Sequence, residues 1–298
     1  MFLGHRGFVI RDFAGRQAKR RLNLFRRPRY WLKAVQSREK MRILITNDDG
    51  IYAQGLLALH RALIQDHEIY VVAPDSEMSA VGHAITLSSP LRVREIYKNG
   101  TFFGYAVKGT PADCVKIAVQ ELMEQPPDII LSGINPGANV GVNVLYSGTV
   151  SAATEGAFLG VPSAAISLNS RIKPDFTFAS FFSRQIVRFV LEVGLSGGTA
   201  LNVNIPALPP EKIRGVSIVR QGTVRFEERF ERRMDPRGNI YYWLAGEGFT
   251  PEESSGTDFA DLREKWITIT PVHYDLTCYK ELEKMKDISV SGGFDWGI

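Results

Sequence analysis

Arg42-Ile43-Leu44-Ile45-Thr46-Asn47-Asp48-Asp49-Gly50 decides the reading of this chain. Ile43, Leu44 and Ile45 form a short apolar run, enough for one buried strand. Two adjacent carboxylates follow it at once. Neighbouring like charges repel, and each loses hydration at the edge of a core. A divalent cation would relieve both costs, so Asp48 and Asp49 are the first candidates for a metal site.

Reading outward, Leu56, Leu57, Leu59, Ala62 and Leu63 recur at helical spacing, which predicts a helix over 54–65. Ile69 to Ala73 is a second apolar run, closed by Pro74. Strand, helix and strand of these lengths make a βαβ unit, hence a parallel sheet covered by helices. Such a sheet binds ligands beyond the carboxyl ends of its strands. Asp48 and the loop Pro74-Asp75-Ser76-Glu77-Met78-Ser79 both sit at such ends and should share one edge.

Shorter β-like runs follow at 84–87, 91–97 and 102–107, with Asn99-Gly100 as a hairpin turn between the last two. Thr110 and Pro111 suit the N-cap and first position of a helix, with Val115, Ala118, Val119 and Leu122 as its buried face. Asp128 to Gly133 is the next buried strand. The loop Gly133-Ile134-Asn135-Pro136-Gly137-Ala138-Asn139-Val140-Gly141 then places glycine or asparagine at every second position. That pattern offers backbone N–H groups and amide side chains to a closely approaching ligand. Ser147-Gly148-Thr149 comes next, before a helix carrying Ala152, Ala153, Ala157 and Phe158. A helix start rich in small hydroxyl residues either caps itself or binds an anion. After the glycine-asparagine loop, phosphate is the favoured reading, with Asn139, Ser147, Gly148 and Thr149 as its contacts.

Strands are expected at 161–168 and 200–205, with a long helix over 176–193 between them. The character then changes. Residues 216–245 are charged, aromatic and hairpin-like around Arg237-Gly238-Asn239. They read as a projecting β arm and a candidate oligomer contact. Helix, strand and helix patterns return over 255–270 and 277–286 and are expected to repack on the sheet.

The 298 residues are 44% hydrophobic, which allows a large core, and no apolar run reaches the roughly 20 residues of a membrane span. Only Cys114 and Cys278 are present, so no disulfide framework is expected. Both read as small buried hydrophobes in a reducing cytoplasm. The net charge of +4 conceals a split. Residues 1–40 hold 12 Lys/Arg and 2 Asp/Glu; subtracting these from totals of 36 and 32 leaves 24 basic and 30 acidic residues in 41–298. The body is therefore acidic, which argues against nucleic acid as its ligand. The leader carries Lys19-Arg20-Arg21 and Arg26-Arg27-Pro28-Arg29. It reads as a disordered extension or as residues upstream of a start at Met41, with a nucleic-acid arm, a membrane arm and a transit peptide as lesser alternatives.

The chain contains neither a P-loop nor the glycine fingerprint of dinucleotide folds in its first βα turn, and no zinc motif. Asp48, Asp49, a hydroxyl from Ser79 and an amide oxygen from Asn135 would instead make an all-oxygen site. Hard oxygen donors suit Mg²⁺ or Mn²⁺. That is the anatomy of a metal-dependent phosphohydrolase. His83, just past Ser79, is a conceivable general acid for a leaving alkoxide, although a lone histidine is more often structural.

Thr46-Asn47-Asp48-Asp49-Gly50, Ala73-Pro74-Asp75 to Ser79 with Gly82-His83, Gly109-Thr110-Pro111-Ala112-Asp113, Gly133-Ile134-Asn135 to Gly141, and Ser147-Gly148-Thr149-Val150 together resemble the SurE survival-protein family in order and spacing. Met78 stands where that family often has Arg or Gln. The resemblance implies a Rossmann-like three-layer αβα sandwich, one divalent metal ion per subunit, and dimers or tetramers joined partly through the β arm. It implies hydrolysis of nucleoside 5′- and 3′-monophosphates, with short polyphosphate in some members. The family's metal ligands fall on Asp48, Asp49, Ser79 and Asn135. The expectation is a nucleoside monophosphate phosphatase over 41–298, with Asp48 and Asp49 catalytic. Its rivals are a non-catalytic nucleotide or metal-ion sensor and a phosphatase of another phosphomonoester.

Overall fold

The structure, a computed structural model, describes residues 9–11, 40–249 and 255–292. The basic clusters of the leader lie outside those residues. Val9–Arg11 is a short strand, β1, at one end of the main sheet.

The opening stretch forms β2, Arg42–Thr46. Its three apolar residues are fully buried, and they alternate between two cores. Ile43 and Ile45 pack on one face with Leu56, Leu59 and Leu63 of helix α1, Gln54–Leu63. Leu44 packs on the other face with Val115 and Ala118. An uninterrupted apolar run is what a strand covered on both faces requires. Each of the three α1 leucines contributes about 1.5–3 kcal/mol by leaving water.

β3 (Glu68–Pro74) pairs parallel with β2. β4 (Val93–Lys98) and β5 (Thr101–Val107) form the hairpin expected around Asn99-Gly100, both of which have positive φ. The run at 84–87 is no strand: it belongs to a long loop, with Ile85 and Leu87 exposed. Helix α2, Pro111–Ile117, opens on a capping box in which Thr110 and Asp113 satisfy each other's backbone N–H. It then loosens into a π turn over Ala118–Leu122. β6 (Ile129–Pro136), α3 (Gly148–Phe158), β7 (Ser163–Asn169), α4 (Thr177–Val193) and β8 (Thr199–Pro206) follow. Phe158 and Phe181 are about half exposed.

β9 (Gly215–Ile218) and β12 (Trp266–His273) complete a ten-stranded sheet of order β1-β9-β12-β8-β7-β6-β2-β3-β5-β4. Most pairs are parallel; β4–β5 and β8–β12 are antiparallel. Helices α1 and α4 cover one face, α2 and α3 the other. The α/β three-layer expectation holds. β2 lies between β3 and β6, so the chain leaves it in one direction and returns on the other side, a topological switch point.

The arm is a separate two-stranded hairpin, β10 (Phe226–Met234) with β11 (Ile240–Phe249). Its turn is closed by Asp235, which accepts from the backbone N–H of Arg237 and Asn239. The first residues assigned to the arm, 216–218, belong instead to β9, where Val216 and Ser217 are buried in the main sheet. Helix α5 (Asp258–Arg263) packs on β12. Helix α6, Tyr279–Gly292, does not repack on the sheet as expected: among its described side chains only Leu282 is half-buried, and the rest are exposed. Cys114 is buried, whereas Cys278 is exposed, so only one of the two fits the buried-hydrophobe reading. No helix among the described residues is long and apolar enough to cross a membrane.

Candidate functional site

The switch point gathers the candidate residues. β2 ends at Thr46, opposite Ser132 of β6, so the two strands leave the sheet side by side. Asp48 and Asp49 follow the first and Asn135 lies near the end of the second. From the other neighbour, β3, the chain turns over the same edge: the Met78 N–H donates to the Asp48 carbonyl at 2.7 Å. The shared edge expected for Asp48 and the 74–79 loop is therefore real.

Asp48 is 6% exposed. The Thr149 hydroxyl donates to its Oδ1 at 2.5 Å. Gly148 approaches so closely that a Cβ there would lie 2.7 Å from that of Asp48, which explains the glycine. The carboxylate thus sits against the start of α3, where the helix dipole favours negative charge. Burial still pushes its pKa up, against the Thr149 hydrogen bond, with the Glu77 charge adding to the rise.

Asp49 differs. Its Oδ2 is buried without a hydrogen-bond partner, as is Oδ1 of Asn47. Burial, then the Asp48 charge, then Glu77 push its pKa up to about 7. A buried carboxylate oxygen with nothing to satisfy it is costly. Next to a second carboxylate, the atom that would satisfy it is a cation.

Ser79 is exposed, and its hydroxyl donates to Glu77 Oε1 at 2.6 Å. The amide nitrogen of Asn135 donates to the Gly137 carbonyl at 2.7 Å, leaving its oxygen as the free donor atom for a cation. Two carboxylates, a hydroxyl and an amide oxygen fit a hard divalent ion. Glu77 was not singled out in the sequence, yet its charge reaches both aspartates and its oxygen holds Ser79.

The residues assigned to phosphate have protein partners of their own. Ser147 caps α3, its Oγ accepting the Val150 N–H at 3.1 Å, so the capping alternative describes that hydroxyl. Thr149 is committed to Asp48. Asn139 is wired into the sheet: its N–H donates to Asn204, its amide to Ser167, and its carbonyl accepts from both Asn202 and Asn204, all within 2.8–2.9 Å. Asn202 and Asn204 were missed. Their signal was present, since two asparagines at alternate positions of an apolar strand must bury amides on one face.

His83 does not stand alone. Its Nε2 lies 2.8 Å from Oε2 of the buried Glu155, whose Oε1 is 2.8 Å from the Lys116 ammonium. Burial alone would raise the Glu155 pKa; the hydrogen bonds from His83 and Lys116 outweigh it and hold the carboxyl below its ordinary value.

A family model described as survival protein SurE matches residues 43–228. The chain belongs to the SurE family. It is 53% identical over 245 residues to a protein of Syntrophobacter fumaroxidans named 5′-nucleotidase SurE, covering 82% of this chain and 98% of that one. It is 55% identical over 247 residues to a protein of the same name from Syntrophus aciditrophicus, covering 83% and 93%. The crystal structure of the SurE protein from Aquifex aeolicus superimposes with a TM-score of 0.71 at 42% identity, over 83% of this chain and 99% of that one. The SurE match spans the switch-point edge and stops in β10, at the root of the arm.

Proposed function

We propose that this SurE chain is a metal-dependent phosphomonoesterase that hydrolyses nucleoside 5′-monophosphates to nucleoside and phosphate. The observation that carries the reading is the unpartnered, buried Oδ2 of Asp49 beside Asp48 at the start of α3. The relatives named 5′-nucleotidase SurE supply the substrate class.

Asp48, Asp49, Ser79 and Asn135 would hold one Mg²⁺ or Mn²⁺. When bound, such an ion supplies positive charge against the phosphoryl oxygens and acidifies water. Thr149 fixes the Asp48 carboxylate through a hydrogen bond and so orients it. Asp49 keeps an oxygen free of protein donors. The start of α3 at Gly148 offers backbone N–H groups to the phosphate, while the loop ending in Gly141 spends the N–H groups of Gly137, Asn139 and Gly141 on protein partners. Ser147 and Asn139 serve that surface by holding the helix start and the loop in shape. Water attacks phosphorus, the ester P–O bond breaks, and the nucleoside leaves with a proton. The same site admits 3′-monophosphates and short polyphosphate as further substrates.

The exposed large apolar side chains of the arm, Phe230, Tyr241, Tyr242, Trp243 and Leu244, support self-association as a homodimer or homotetramer. Cys114 and Cys278 are both free, which supports a cytoplasmic setting.

Phosphate release from AMP with Mn²⁺, measured with and without EDTA, tests the proposal. Chelator-sensitive release is expected. Nucleotide binding without release would make the chain a sensor, and faster release from sugar phosphates than from AMP would move the substrate class.

A further inference from the structure

We infer that Asp258 and Gln221 are positioning residues, which set the loop leading into the phosphate-binding start of α3 from the root of the β10–β11 arm; this rests on the phosphate reading above. Asp258 is completely buried. Its Oδ2 accepts the Gly141 N–H at 3.0 Å, and its Oδ1 accepts the N–H groups of Gly222 and Phe259, both at 2.8 Å. Gln221 donates from Nε2 to the Gly141 carbonyl at 2.7 Å. The Val142 N–H donates to the Val224 carbonyl at 2.8 Å. Both polar groups of Gly141 and the next amide are thus tied to residues 221–224 and 258. A Cβ at Gly141, whose φ is +58°, would lie 2.3 Å from the Val224 oxygen. The loop and the 221–224 segment are in direct backbone contact.

The position of this contact gives it meaning. Residues 219–225 join β9 to β10 and so form the root of the arm. Gly141 opens the 3₁₀ turn Gly141–Tyr146 that delivers Ser147 and the start of α3. Two residues earlier, Asn139 is held from the other side by Asn202 and Asn204. The loop is gripped between the rigid sheet and the arm root, and Asp258 supplies the grip on the arm side with a buried carboxylate that no amide can copy. In Asp258→Asn one of the two oxygens becomes an N–H donor facing another N–H donor. In Gln221→Ala the donor to Gly141 is lost with little change to the core, because Gln221 is only half-buried.

The test compares the full chain with Asp258→Asn and Gln221→Ala. KM for AMP and the inhibition constant of inorganic phosphate are expected to rise about tenfold, with kcat changing less. Mn²⁺ affinity, measured by titration calorimetry, is expected to stay within about twofold, since the aspartate pair is untouched. A merely structural role would lower the melting temperature and leave KM and phosphate inhibition unchanged below the transition. That result in either folded variant overturns the inference. Should Asp258→Asn fail to fold, Gln221→Ala carries the test alone. Absence of AMP hydrolysis in the unmodified chain would instead sink the phosphatase reading. The grip is then read by hydrogen exchange: faster exchange of the Gly141 and Val142 amides in Gln221→Ala supports it, and unchanged exchange overturns it.

Discussion

The switch-point edge and the β10–β11 arm break the hydrophobic rule in opposite directions. The edge takes charge out of water: Asp48 is buried and Asp49 keeps an unsatisfied oxygen inside. The arm puts aromatics into water: Phe230 is 72% exposed and Trp243 58%. Neither arrangement lowers the free energy of an isolated chain. Each becomes favourable once something is added. A cation would offset the cost at the edge, and an apolar surface that of the arm. The difference teaches where each addition must come from. The edge is held by β2, β3, β6 and α3, which suits it to small ions. Among the described residues the arm's strands pair only with each other in the sheet pattern, so it can be met by another large surface.

The edge half of this comparison yields the largest effect. Asp49→Ala should reduce metal-dependent phosphate release by about a thousandfold, while circular dichroism and cooperative melting remain those of a folded chain. Full activity in that variant would sink the site assignment. Asp49→Asn provides the finer version, because it keeps the volume and removes the charge.

Metal removal sharpens the same half without relying on turnover. A ligand held at about 100 times its Kd stabilises by about 2.7 kcal/mol, which raises the melting temperature of a protein this size by roughly 5 °C. Mn²⁺ should produce such a shift in the unmodified chain after EDTA treatment, and little of it in Asp49→Asn. Equal shifts in both would place the cation elsewhere.

For the arm, Trp243→Glu should convert the proposed assembly to a smaller one in light scattering coupled to size exclusion. The edge should remain intact, so Mn²⁺ affinity is expected to stay within about twofold. An unchanged mass would show that the exposed aromatics are not the contact and would break the parallel with the edge.

Most of the fold was legible because it follows from periodicity. Ile43-Leu44-Ile45 could only be a strand buried on both faces, and the leucines of α1 could only face a sheet. Thr110 and Pro111 announced a helix start that the structure reproduces with its capping box. The failures share a cause: short apolar runs carry no address. Residues 84–87 resemble a strand, but their backbone is spent elsewhere, the Thr86 N–H on Asp113 and the Ala84 carbonyl on Thr110. Residues 216–218 looked like the arm, since nothing in three residues tells a strand of the main sheet from one of a hairpin. The site was legible where chemistry is costly, as in two adjacent carboxylates. It was illegible where a residue acts through long-range hydrogen bonds: Asn202, Asn204, Glu155 and Asp258 lie 36 to 117 positions from several of their partners.

Glu155 supplies the smallest effect and the best internal contrast. Like Asp49 it holds carboxylate oxygen inside the protein, but both of its oxygens are paired, one with His83 and one with Lys116. Its folded pKa is depressed below the ordinary 4.5. The unfolded state therefore binds the proton more tightly, and stability rises with pH through that interval. The contribution is complete above about pH 4.5 and is lost as pH falls through the lower folded value. Glu155→Gln should cost about 1–3 kcal/mol at neutral pH, and the cost should shrink on acidification. Denaturant melts at pH 7 and pH 3.5 measure it. A penalty equal at both values would mean that Glu155 is held by packing and not by its two partners. The contrast would then fail, because a buried carboxylate with partners would behave no differently from one without.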